Sequence, residues 1–211
     1  MLGVDISDFK ERLDKVSLAL MSTVEAKEQS VKDEGIGEDL AINLFCWEQD
    51  RLTLMLQARP VVQHSDADKR FTSISRVACI VRRGWGITAF TMASEGYISL
   101  EPEETKGIGL KQGFIDGRAV KECLTVTHVE DNRVTIVVRP YTYTVPRKVV
   151  WDDDIYYPGR TLVRDQDGMY ANMFDRVINT VEIEQPPEDH TTFYDELSVG
   201  VLASGFYIQQ F

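Results

Sequence analysis

DADKRFTSISRVACIVRRGWGITAFTMASEGYISL, residues 66–100, reads as one amphipathic helix, a sharp glycine stop and one long strand. Ala67, Phe71, Ile74, Ala78 and Val81 recur at spacings of four and three, so they form a single apolar stripe that must face a sheet or another helix. Ser65 or Asp66 stands where a side chain accepts hydrogen bonds from the first free amides of the helix. Arg82 and Arg83 sit where the helix dipole favours cations and Gly84 can take the left-handed conformation, which puts the expected end of the helix near residue 83. From Ile87 the period drops to two. Thr88, Phe90 and Met92 alternate against Ile87, Ala89, Thr91 and Ala93, the pattern of a strand covered on both faces and therefore central.

Toward the start of the chain, Asp8 followed by Glu11 is a capping-box pattern, and Phe9, Leu13, Val16, Leu20 and Val24 make a helical stripe, so a first helix is expected to about residue 27. Residues 32–38 have loop composition. Residues 40–47 and 51–59 read as two antiparallel strands around the polar break Glu48-Gln49-Asp50, with Leu52, Leu54 and Leu56 facing the helices. Toward the end of the chain, residues 101–118 hold Gly107, Gly109, Gly113, Gly117 and Pro102, a signature of irregular backbone. The GIGLKQG within them lacks the spacing of a dinucleotide fingerprint. A second hairpin follows, residues 120–129 and 133–143, with Leu124, Val126, Val134, Ile136 and Val138 packed and Pro140 marking an edge. The expected fold is α/β of the α+β kind: a mixed, largely antiparallel five-stranded sheet from two hairpins plus the central strand, with two packing helices. Residues 1–148 make the expected core domain and 149–211 an acidic, aromatic C-terminal extension or subdomain.

The composition is that of an ordinary globular chain of 211 residues, 43% hydrophobic and 27% charged, with no apolar run near 18 residues and no basic, apolar leader, so a soluble, unexported protein is expected. Cys46, Cys79 and Cys123 include no CxxC pair and read as buried reduced thiols. Charge is segregated: residues 151–211 carry twelve acids against three arginines, a net of −9 out of the chain's −11, and no lysine follows Lys148. That balance argues against nucleic acid binding to the last third.

The tail opens with VVWDDDIYYPG, where Trp151, Ile155, Tyr156 and Tyr157 interleave with Asp152, Asp153 and Asp154. As a strand it places Asp152 and Asp154 on one face. They are the weak metal candidates, but no HxH, HExxH or EF-hand spacing supplies further ligands, so no metal or cofactor is expected. DQDG at 165–168 fails as a calcium loop and reads as a turn. Met169, Met173, Phe174, Val177 and Ile178 give a short helix ending near Asn179, and residues 185–189 a Pro-Pro break. The final run favours a helix ending near Gly205, followed by Phe206, Tyr207, Ile208 and Phe211 as an apolar tag that packs on its own domain or on a neighbour. His64 is best explained by a helix start, His128 alternates with strand residues, and His190 lies among acids; none stands beside a nucleophile elbow.

The order helix, hairpin, helix, strand, hairpin resembles a loose group of uncharacterised proteins encoded by tailed bacteriophages. The resemblance covers residues 5–145 and is carried by SISRVACIVRRGWG running into a strand that ends in ASEGYI, then KECLTVTHV and a closing strand. It implies a phage origin and a place in the bacterial cytoplasm or the virion, and brings no catalytic residue with it. The function expected is a non-enzymatic interaction or assembly protein that docks a protein partner, itself or another phage protein, and no membrane. The docking residues are Trp151, Asp152, Asp153, Asp154, Tyr156, Tyr157, Phe206, Tyr207 and Phe211. Two alternatives stand beside it: a divalent-metal-dependent hydrolase or nuclease using Asp152, Asp154 and a carboxylate such as Glu95, and an acidic DNA-mimicking inhibitor of a host enzyme.

Overall fold

The computed structural model describes residues 6–33, 39–99, 113–115, 118–144, 148–161, 169–185 and 190–211. The DQDG run, Pro186-Pro187 and all but the last residue of GIGLKQG lie outside them, as do the side chains of Phe9, Leu13 and His190. In chain order the elements are α1 (Ile6–Asp33), β1 (Asn43–Glu48), β2 (Arg51–Ala58), α2 (Pro60–Gln63), α3 (Ala67–Trp85), β3 (Ala89–Ser99), β4 (Gly113–Ile115), β5 (Arg118–Glu130), β6 (Arg133–Thr144), β7 (Lys148–Trp151), β8 (Ile155–Thr161), α4 (Met169–Thr180), α5 (His190–Ala203) and β9 (Phe206–Gln210).

α3 starts where Asp66 accepts a hydrogen bond from the Lys69 amide at 2.9 Å. It ends not at Gly84 but at Gly86, whose φ of +66° is the left-handed cap. Gly84 lies inside the helix, and the end of the Leu197 side chain of α5 fills the space that a Cβ there would need. The strand that follows is central, as its two-sided alternation requires.

The nine strands form one sheet in the order β7-β6-β5-β3-β1-β2-β9, with β4 added to β5 and β8 to β6, and every registered pair is antiparallel. The expected five strands are therefore nine. β4 comes from the stretch read as irregular, and β7, β8 and β9 are short runs broken by aspartates and glycines, too short to show a period of two on their own. Residue 148, the expected end of the core domain, is the first residue of β7, and the expected extension supplies three strands and two helices.

One face of the sheet packs on α3, α4 and α5 through Leu44, Leu54, Leu56, Ile74, Val77, Val81, Phe90, Phe174, Val201 and Phe206. Phe90 and Phe174 stack with ring centroids 5.0 Å apart, binding α4 to the central strand. α1 crosses the other face, burying Val16, Ala19, Leu20 and Val31 against Phe45, Trp47, Ala93, Val126, Val137, Leu124 and Tyr141. The register shift between Cys46 and Trp47 lets Leu52 join the α1 side while Leu54 and Leu56 join the α3 side, so the expected leucine face is split by a bulge. α1 also runs well past its expected end, by more than a turn and a half, to Asp33.

Candidate functional site

β7 and β8 are two segments of one edge, laid in succession along β6: Tyr141 pairs with Trp151 and Val138 with Ile155. Between those pairs, three aspartates face only Arg139 and Pro140, so Asp152–Asp154 form a bulge. Pro140 explains its position. The Asp152 amide donates to the Pro140 carbonyl at 2.9 Å, so this side of residue 140 faces the edge, and proline has no N–H to continue the ladder there. Pro140 thus marks the break in the neighbouring strand, not an outer edge of its own.

The bulge also sends the aspartates apart. Asp154 receives both guanidinium bonds of Arg139, at 2.5 and 2.7 Å, on the α1 side, where Val137 and Tyr141 also point. Asp152 pairs with Lys121, which alternates to the opposite side from Leu124. The expectation that Asp152 and Asp154 share a face therefore fails, because three residues opposite two destroy the period of two. The fork-like pair holds the Arg139 guanidinium above its ordinary pKa, its bond to Asp154 outweighing burial. Asp153 is exposed and in no ion pair among the described residues. Among the described residues no group of three or more His, Cys, Asp or Glu is placed to hold a metal ion.

The aromatic candidates divide. Trp151 is turned inward, its indole N–H donating to Glu28 of α1 at 3.0 Å and its ring against Tyr141. Tyr156 and Tyr157 are 46% and 47% exposed on β8, on opposite faces of the edge, with Ile155 beside them. Burial first, and then the Asp154 carboxylate, hold the Tyr156 phenol above its usual pKa, and its hydroxyl donates to Asp154 at 3.3 Å. Phe206 is fully buried, so it belongs to the core and not to a docking surface, while Tyr207 and Phe211 at the far end of the sheet are exposed.

Sequence reasoning missed the polar groups beneath α1. Lys27 is buried and donates to Glu95 at 2.6 Å, with its ammonium 5.5 Å from the Tyr141 ring and 5.8 Å from Tyr143. Glu95 also accepts from the Tyr141 hydroxyl and from the Leu40 amide, each at 2.5 Å. Burial lowers the Lys27 pKa, but the Glu95 carboxylate overrides it and the net direction is up; burial first and then Glu95 raise Tyr141, which stays a neutral donor. Glu95 is thus fully engaged and not placed with the tail aspartates.

A second network runs from Trp47 to α1. The Trp47 indole N–H donates to the Thr91 hydroxyl at 2.9 Å, Thr91 lies 2.8 Å from His128 Nδ1, and His128 Nε2 lies 3.3 Å from Glu130, which receives Lys15 at 2.9 Å. Since an ionised Glu130 carboxylate only accepts, a neutral His128 carries its proton on Nε2 toward Glu130 and accepts at Nδ1 from the Thr91 hydroxyl, which in turn accepts from the Trp47 indole. Hydroxyl, imidazole and carboxylate follow one another as in a hydrolytic relay, yet Thr91 and His128 are fully buried under Trp47 and no substrate can reach the hydroxyl. The signal legible in the sequence was parity: Val126, His128 and Glu130 share one face of β5. His64 caps α2 at its C-terminal end instead of starting α3.

Between α3 and α4 lies a groove of about 780 Å³ lined by Phe71, Cys79, Met169, Met173 and Val177, with the Asp175 carboxylate at its wall held by the Asn179 amide at 2.8 Å. No protein-family model, curated protein or solved structure matches the chain.

Proposed function

We propose that the chain is a non-enzymatic interaction or assembly protein of the tailed-phage type, docking a protein partner through the outer edge of β7 and β8. The observation that carries this is Ile155, Tyr156 and Tyr157 standing exposed in succession on an outer strand, beside an exposed Asp153. Ile155 and Tyr157 flank the edge on one face and Tyr156 on the other, so a partner that pairs along it meets all three, and tyrosine supplies contact area at low cost in side-chain entropy. With Asp152 and Asp154 held by Lys121 and Arg139, the tyrosines carry the contact and Asp153 supplies the charge. The partner that fits has an apolar patch rimmed by a basic group.

The test is a photo-crosslinking residue placed at position 157 of the full chain, with position 21 of α1, which is more open to solvent, as control. We expect one protein cross-linked in phage-infected cells at 157 and not at 21, and lost on Tyr156→Ser. Identical products at both positions, or none at 157, would refute the reading.

A further inference from the structure

We infer that the opposite end of the sheet, the free edge of β9, is a self-association surface that pairs with β9 of a second copy of this chain. β9 is the last strand of the sheet, paired with β2 on one side and, among the described residues, with nothing on the other. Its hydrogen bonds to β2 come from the odd-numbered residues: the Arg59 amide donates to the Gly205 carbonyl, and the Phe211 amide to the Thr53 carbonyl. By alternation, the N–H and C=O of Phe206, Ile208 and Gln210 point outward from the sheet. Natural sheets protect such an edge with lysine, proline or a bulge, and FYIQQ contains none of these.

Charge decides which occupant fits. Residues 197–211, LSVGVLASGFYIQQF, carry no charged side chain, the longest such run in a sequence whose net charge is −11. The charged groups that touch this strand are arginines: Arg59 lies 5.5 Å from the Tyr207 ring, and Arg51 donates to the Phe211 carbonyl at 3.5 Å. A basic partner would seek the acids elsewhere on this protein; a second acidic copy can approach only where acids are missing. The strand is also complementary to itself. Antiparallel pairing about a two-fold axis at Ile208 sets Ile208 against its own copy and Phe206 against Gln210, with no like charges opposed. Exposed Tyr207 on the strand, Val61 on α2 beside Gly205, and Leu202 on α5, whose carbonyl accepts from the Gly205 amide, supply apolar surface at the start of the same strand.

This surface is at the other end of the sheet from Tyr156 and Tyr157, so the two stand or fall separately. Sedimentation of the full chain across a concentration series should give a mass twice the 24.0 kDa of one chain, and added salt should tighten the dimer by screening the net charge. Gln210→Pro removes only an outward-facing donor, and Tyr207→Lys exchanges a half-exposed ring and its contact with Arg59 for a charge without touching the core, so both variants should fold. Each should raise the dimer dissociation constant at least about tenfold. Hydrogen exchange needs no variant: the amides of Phe206, Ile208 and Gln210 should become protected as protein concentration rises. A chain that is monomeric at every concentration, a dimer indifferent to both substitutions, or amides whose exchange does not change on dimerisation would each overturn the inference.

Discussion

Phe174→Ala tests whether the last third of the chain is part of the core or an attachment to it. Phe174 lies on α4, fully buried, with its ring stacked on Phe90 of the central strand at 5.0 Å and 20°. Truncation to alanine removes the ring while α4 stays held by Met173, Val177 and Ala171, so the neighbours cannot close the space. Lost transfer free energy plus the cavity amounts to about 3–5 kcal/mol for a buried phenylalanine, against a whole stability of roughly 5–15 kcal/mol for a domain. In urea, with a slope of roughly 2–3 kcal/mol/M, a loss of about 4 kcal/mol moves the midpoint down by roughly 1.3–2 M, and the melting temperature falls by about 8–16 °C. Tyr157→Ala, on an exposed side chain, is the control and should stay within about 0.5 kcal/mol of the parent. The unfolding curve must also remain a single transition. A loss below about 1 kcal/mol, or two transitions of which only one moves, would refute the placement of α4 in a shared core.

Three further outcomes follow from the packing. A chain ending after Lys148 loses the cover of Phe90, Ile74, Val77 and Val81 and should be recovered in the pellet; a soluble product with a cooperative melt would show that residues 1–148 close a core alone. Lys27→Met strands the Glu95 carboxylate beneath α1 and should cost about 3–5 kcal/mol, while Lys27→Met with Glu95→Gln recovers part of it; a double variant no better than the single would refute the coupling. Burial pushes the Glu130 carboxyl up, but hydrogen bonds from His128 and Lys15 prevail and its pKa lies below the ordinary 4.5. Its contribution is therefore complete above about pH 4.5 and lost as pH falls through the lower, folded value. Urea midpoints measured over that acid range should drop less steeply in Glu130→Gln than in the parent, and equal slopes would count against the pairing.

Patterns confined to one element were legible in the sequence because a local period is enough to state them. The stripe of α3, its Asp66 cap, the two-sided alternation of β3, both hairpins and α4 are of this kind, each set by which residues recur every two or every three to four positions. What α1 buries was not legible: nothing local marks Lys15 and Lys27 as buried, and their partners Glu130 and Glu95 lie more than 60 positions away in sequence. The same holds for Gly84, where only the tertiary structure brings the Leu197 side chain into the space a Cβ would take. The tail's composition suggested an extension because strands of four to seven residues leave too short a trace to be read singly. Tertiary structure alone decided that these pieces complete the sheet, that Phe206 enters its core, and that Asp152 and Asp154 face opposite ways, since strand partners and bulges arise from contacts between residues far apart in the chain.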